Sequence, residues 1–310
     1  MAEEPVMNIW HRIFRKATES KGFVLALGGG GGRGLAHLGV LEALEEHGLK
    51  PEAIVGTSIG ALFGAMYALE PDIKRMRSRI QALLHSDAFS QLELPDLTEA
   101  ETADHTWLGK LTAAARQSVL YARVAKGTAL IDTGTLLNLV QTLCDAKGFS
   151  DIRIPLFVTA VHFPSGEIEI FSKGDLSRAI TASMAIPGVF GPVEVNGQHF
   201  VDGGLACELP AKEAKMVAKP GQPIVAINVG GRPNPNLRPS TVIAMLDWAI
   251  RIKSLYLRQY KAQFADLLIE PVTGFRQWAD FSHPDQEIER GRQAALAKIP
   301  ELIEQLGLDR

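Results

Sequence analysis

Phe23-Val24-Leu25-Ala26-Leu27-Gly28-Gly29-Gly30-Gly31-Gly32-Arg33-Gly34 sets a run of five apolar residues directly against five consecutive glycines. An unbroken apolar run of that length reads as a strand buried on both faces, the kind found at the centre of a parallel sheet, and the glycines end it. From Arg33 onward Leu35, Leu38, Leu41 and Leu44 recur at helical spacing up to Gly48, and Ile54-Val55 begins the next strand. Strand, turn, helix, strand is a βαβ unit, which places the chain in the α/β class.

Two chemistries compete for the glycine run. Gly29-x-Gly31-x-x-Gly34 after a strand and before a helix satisfies the dinucleotide-binding fingerprint, in which backbone amides cradle a pyrophosphate. That reading requires an acidic residue about 20 residues further on to hold a ribose hydroxyl. The second strand instead runs into Gly56-Thr57-Ser58-Ile59-Gly60, a G-x-S-x-G at the turn from strand to helix. Small residues on both flanks allow the sharp turn that lifts a serine hydroxyl above a sheet, and the helix that starts there aims its free amides at the same place. A tight turn with a capping serine or threonine would use the same residues. In the hydrolase reading the amides of Gly29 to Gly34 hold an anionic oxygen, and Arg33 is either a partner for that anion or an anchor for the loop.

Working outward, 310 residues with 46% hydrophobic and 22% charged residues are enough for one large α/β domain, and a net charge of −3 gives no cationic excess for nucleic acid. Cys144 and Cys207 are too few for a disulfide framework and lack metal-ligand spacing. Glu3 and Glu4 stand where a secretory leader would be basic, and the uncharged stretch 53–69 is too short to span a bilayer. These features point to a reducing, cytoplasmic setting. Residues 1–20 contain Trp10, Ile13, Phe14 and Ala17 at helical spacing among His11, Arg12, Arg15 and Lys16, a basic amphipathic helix suited either to core packing or to transient contact with an anionic membrane surface. The charge-rich stretch at about 71–148, with helical patches at 73–84 and 111–125, reads as an insertion in a main domain of 21–300, leaving 301–310 as a helix end. Strands return at 156–160, 168–171, 199–201 and 224–227; a long helix or broken pair follows at 241–268, then a polar helix at 285–306 interrupted near Pro300.

A nucleophilic serine needs a base. Asp202, in Phe200-Val201-Asp202-Gly203-Gly204, ends a strand and precedes two glycines. Asp-Gly is also a common turn opening. For an aspartate to accept a proton from serine, burial must raise its pKa from about 3.9. An alternative triad of serine, aspartate and histidine in that chain order would have to use His283, which lies in a polar loop after Asp280-Phe281-Ser282. His37, three residues past Gly34, is placed to anchor the glycine loop, and His199 lies on the strand that leads to Asp202.

Taken in order, Gly29-Gly30-Gly31-Gly32-Arg33-Gly34, Gly56-Thr57-Ser58-Ile59-Gly60 and Asp202-Gly203-Gly204 resemble the patatin-like phospholipase family, especially its compact bacterial members. The likeness extends to Gly39-Val40-Leu41, to residues 182–192 and into 264–271, and so covers roughly 22–300. It implies a three-layer α/β/α sandwich with a mostly parallel central sheet. It further implies a Ser58-Asp202 dyad with no catalytic histidine, an oxyanion hole of backbone amides in Gly29 to Gly34, and a lipid or other acyl-ester substrate. No metal or cofactor is required. A nonhydrolytic module that binds a nucleotide or acyl group on the same fold is the competing function. The sequence departs from the family pattern at Gly28, where a serine or other small residue is usual, and at Cys207-Glu208, where asparagine is usual. A carboxylate at Glu208 close to Asp202 would raise its pKa.

Overall fold

The computed structural model describes residues 22–90, 129–146, 148–236, 238–239, 242–272, 274 and 277–308. The amphipathic segment 1–20 and the helical patch 111–125 lie outside these residues. Ten strands and eleven helices, numbered here within the described residues, make up the rest.

Strands β1 (Val24–Leu27), β2 (Ala53–Thr57), β4 (Leu156–Phe163), β9 (Ile224–Ile227) and β10 (Leu267–Ile269) run parallel in the order β10-β9-β1-β2-β4. Beyond β4 the direction reverses: β8 (Gln198–Asp202) and β5 (Ile168–Phe171) both pair antiparallel with β4, and β7 (Val193–Val195) pairs antiparallel with β8. A separate parallel pair joins β3 (Ala129–Ile131) to β6 (Gly188–Phe190).

Side chains alternate across the central strands, as the two-residue period requires. Phe23, Leu25, Leu27, Ile54, Val225 and Ile227 point into one core layer, and Val24, Ala26, Val55, Ile224 and Ala226 into the other. Both faces are therefore covered by helices, which gives the α/β/α sandwich. Leu25 is fully buried; truncating such a residue to alanine costs about 2–5 kcal/mol. The larger layer is built by α1 (Ala36–Glu46), α2 (Ile59–Leu69), α3 (Ile73–Leu84), α5 (Thr133–Leu143), α6 (Leu176–Met184), α10 (Pro284–Leu296) and α11 (Ile299–Gln305), and the short α4 (Asp87–Ser90) follows α3. The opposite side carries α7 (Gly204–Cys207), α8 (Ala211–Val217) and α9 (Val242–Ala262).

One sequence expectation changes and one holds. The 241–268 stretch is one helix to Ala262 followed by strand β10, because Leu267 to Ile269 pairs with β9 instead of continuing the helix. The closing helix breaks at Lys298, ahead of Pro300, into α10 and α11. Helices α1 and α10 approach until Gly39 meets Ile288 and Gly291 meets Ala36, backbone to backbone, with no room for a Cβ on either glycine. Helix α2 is buried on nearly every side, and its N-terminus opens at Ser58. Among the described residues no helix is long and apolar enough to cross a membrane.

Candidate active site

Strand register decides which side chains meet. Thr57 pairs with Thr159 in the β2–β4 ladder, so Ser58 leaves the sheet at the level of Ala160, and Ala160 pairs with Asp202 across β4–β8. Ser58 and Asp202 thus flank β4 at one height and bridge it: Ser58 Oγ donates to Asp202 Oδ2 at 2.8 Å.

Ser58 has φ 55° and ψ −125°, a conformation that side-chain-bearing residues adopt only when the surroundings enforce it. Those surroundings are visible. A Cβ at Gly60 would collide with the carbonyl oxygens of Leu27 and Gly28, and one at Gly56 with Gly60 and Ala61, so the turn packs closer than any other residue allows. The Ser58 N–H donates to Ser183 Oγ at 2.8 Å, and its carbonyl accepts the N–H groups of Ala61 and Leu62. Beneath the turn the hydroxyls of Thr57 and Thr159 bond at 2.6 Å. Ile59, next in the turn, packs its side chain against Gly34 of the neighbouring loop.

The end of α6 holds the aspartate as well. Asp202 N–H donates to Ala185 O and Gly203 N–H to Ser183 O, while Asp202 Oδ1 accepts the Gly204 N–H at 2.6 Å. Burial pushes the Asp202 pKa up to about 7; the hydrogen bonds from Gly204 and Ser58 pull it down, and the charge of Glu208 adds a smaller upward push. Glu208 therefore acts in the expected direction, but burial dominates. Its own charge is balanced by Arg258 Nη1 at 2.8 Å.

The glycine loop is narrower in capacity than its six-residue span, Gly29 to Gly34. Gly29 N–H already donates to Glu208 O and Gly32 N–H to Trp278 O, while Arg33 and Gly34 lie within a 3-10 turn over Gly31–Leu35. Gly30 and Gly31 are the two whose amides have no carbonyl partner among the described residues. Arg33 is buried, its guanidinium packed against Gly231, and burial lowers its pKa to about 10. It remains charged at neutral pH. His37 is fully buried and donates from Nε2 to Gly28 O at 2.8 Å, with burial lowering its pKa to about 4. A neutral imidazole thus pins the start of the glycine run.

Two cavities meet at Ser58. One, of about 90 Å³, is walled by Leu35, Leu62, Phe63, Leu136, Leu139, Phe281 and other apolar side chains. The other, of about 300 Å³, contains Asp202 and is rimmed by Arg232, Asp247, Arg251 and Lys253, with Arg33, Glu208 and Arg258 behind them. Gly31, Ser58, Ile186 and Trp278 belong to both walls. Neither cavity has a histidine in its wall among the described residues. His283 stands exposed at the start of α10 with Nδ1 at 2.6 Å from Ser282 Oγ, and His199 is exposed on β8. Cys144 and Cys207 are buried free thiols whose pKa values burial pushes up.

Ser183, Ile186 and Trp278 carry parts of this geometry that the sequence reading did not assign. Residues 182–192 carry part of the family likeness, but no local pattern announces that a serine 125 positions from Ser58 accepts its amide.

A family profile described as patatin-like phospholipase matches residues 25–215; residues 264–271, included in the likeness read from sequence, lie beyond that span. The chain is 32% identical over 208 residues to lysophospholipase NTE1 of Saccharomyces cerevisiae, which is 66% of this chain and 11% of the yeast protein. It is 29% identical over 216 residues to patatin-like phospholipase domain-containing protein 6 of Homo sapiens, 69% of this chain and 14% of the human protein. The chain thus spans only a small part of the length of these relatives. VipD from Legionella pneumophila shares the fold, with a TM-score of 0.50 at 15% identity over 90% of this chain and 66% of that one.

Proposed function

The chain belongs to the patatin-like phospholipase family, and from that premise we propose that it hydrolyses the acyl esters of glycerophospholipids or lysophospholipids with Ser58 as nucleophile and Asp202 as its base. The observation that carries the reading is the 2.8 Å hydrogen bond from Ser58 Oγ to an aspartate whose pKa burial raises to about 7. A base matched to neutral pH takes a proton effectively while still being ionised often enough to act.

In this mechanism Ser58 Oγ attacks the acyl carbonyl carbon and its proton passes to Asp202 Oδ2. The amides of Gly30 and Gly31 receive the oxyanion, each donor of this kind being worth about 10²–10³ in turnover. Collapse of the tetrahedral intermediate expels the alcohol, which takes the proton from Asp202. Water then attacks the acyl-serine, Asp202 accepts its proton, and transfer of that proton back to Ser58 releases the fatty acid. The acyl chain lies in the apolar cavity and the polar remainder of the substrate in the vestibule, where Arg232 and Lys253 favour a phosphate.

The experiment is release of fatty acid from lysophosphatidylcholine and from short-chain p-nitrophenyl esters in the presence of chelator. Ser58→Ala and Asp202→Asn, both folded by circular dichroism, are expected to fall to background, a loss on the order of 10⁴ or more. Wild-type rates in the Ser58→Ala chain would end the proposal.

A further inference from the structure

Helix α9 is amphipathic with its faces reversed. At about 100° per residue, Val242, Met245, Leu246, Ile250, Tyr256 and Tyr260 fall within one arc about 140° wide. That arc faces outward: the six are 77%, 49%, 59%, 55%, 67% and 51% exposed. The opposite side is charged and turned toward the domain. Arg258 and Lys261 are only 3% and 4% exposed, and they pair with Glu208 and Glu213, while Arg251 pairs with Asp247. A helix on a water-exposed surface buries its apolar stripe and exposes its charges. An outward apolar stripe about 27 Å long therefore marks a surface that meets something apolar.

Three features decide the occupant. The stripe runs into the mouth of the vestibule, because Ile250, Lys253 and Ser254 of the same helix line it; a second copy of the chain seated on the stripe would obstruct the route to Ser58. Tyr256 and Tyr260 combine an apolar ring with a polar tip, the chemistry that settles at the boundary between acyl chains and head groups. Lys253 is exposed within the arc, and Arg232 is exposed across the mouth. These cations at the mouth match the phosphate groups of lipid head groups.

We propose that the outer face of α9 seats the protein on phospholipid membranes, with the vestibule mouth held against the head groups. The proposal rests on the lipid-hydrolase reading for its purpose, but the surface makes a claim that can be measured without catalysis. The test is co-sedimentation of the full-length Ser58→Ala chain with vesicles of phosphatidylcholine, alone and mixed with an anionic phospholipid, compared with the same chain carrying Leu246→Glu and Tyr256→Glu. Neither of those side chains lines a cavity. Vesicle binding is expected in the parent, stronger with anionic lipid, and about a hundredfold weaker in the double variant, the scale for keeping two large apolar side chains out of a lipid interface.

With Ser58 restored, the same two substitutions should leave hydrolysis of a soluble short-chain ester unchanged, which also reports that the fold is intact. Equal vesicle binding by parent and double variant, or none by the parent, overturns the proposal. A parent that forms dimers lost in the double variant, with no vesicle binding, overturns it in favour of a second copy. Vesicle binding through α9 in a protein that cleaves no ester would leave this inference standing and remove the hydrolase reading alone.

Discussion

The two cavities that meet at Ser58 share four wall residues and differ in nearly everything else. One is smaller and lined by leucine, isoleucine and phenylalanine; the other is wider, contains Asp202 and is rimmed by arginine, lysine and aspartate. The first can stabilise only a hydrocarbon chain, because a polar group taken into it would lose its hydrogen bonds to water without replacement. The second keeps charge solvated or paired. Under the proposed mechanism, Ser58 on the wall between them would be aimed at the bond that joins an apolar half of a molecule to a polar half. On that reading the asymmetry would orient the substrate before any chemistry takes place.

Filling the apolar cavity should produce the largest separation between the two sides. Leu139→Trp is expected to reduce hydrolysis of long-chain lysophospholipids by about a hundredfold while leaving acetyl esters within about threefold of wild type, measured as kcat/KM for each chain length. An equal loss on both substrates would mean that this cavity does not hold the acyl chain.

A proton effect of similar size enters from the vestibule side, where Asp202 lies. With its pKa at about 7, kcat/KM should rise about tenfold per pH unit below that value and level off above it. Stability should show the opposite dependence. Between the unfolded pKa of about 3.9 and the folded value, the native chain holds a proton that the unfolded chain has released, so stability falls as pH rises through that window. Asp202→Asn removes this loss; its Tm relative to wild type should climb from pH 4 to pH 7 and then stay level. A Tm difference that does not change with pH would contradict the raised pKa.

The smallest effect concerns the rim. Arg232→Glu with Lys253→Glu should raise KM for lysophospholipid about five- to tenfold, with little change for an uncharged acyl ester, because exposed cations contribute modestly and are screened by salt. Loss of the difference between the two substrates at high ionic strength in the wild type would support the same assignment.

Much of this architecture was legible in the chain itself. The apolar runs at 23–27, 156–160 and 224–227 are strands because a centre buried on both faces tolerates no polar alternation. The sharp turn at Ser58 was legible because a strained turn leaves a mark in its flanking glycines. Strand β10 was not: Leu267 to Ile269 continues an apolar helical pattern, and only the edge of β9 makes it a strand. Nor could the chain announce that β8 runs antiparallel to β4, although that reversal brings Asp202 to the level of Ser58. The glycine loop was legible as a place but not as a donor set, since the carbonyls that occupy Gly29 and Gly32 come from Glu208 and Trp278, far along the sequence. Helix α9 was legible as a helix, but periodicity states that an apolar face exists and not whether it points inward. The charged partners Glu208 and Glu213, which draw Arg258 and Lys261 to the inside, come from the segment after the Asp-Gly-Gly turn.

The central claim is that Ser58 is a nucleophile activated by Asp202, and covalent capture tests it most directly. The full-length protein should be treated with a fluorophosphonate ester, digested, and the modified residue located by mass spectrometry while the labelling rate is followed across pH 5 to 9. The account predicts a single adduct on Ser58, forming at a rate that rises with pH through about 7 and is slowed at least a hundredfold in Asp202→Asn. An adduct on another residue, or Ser58 labelling that is as fast in Asp202→Asn as in the wild type, would contradict it.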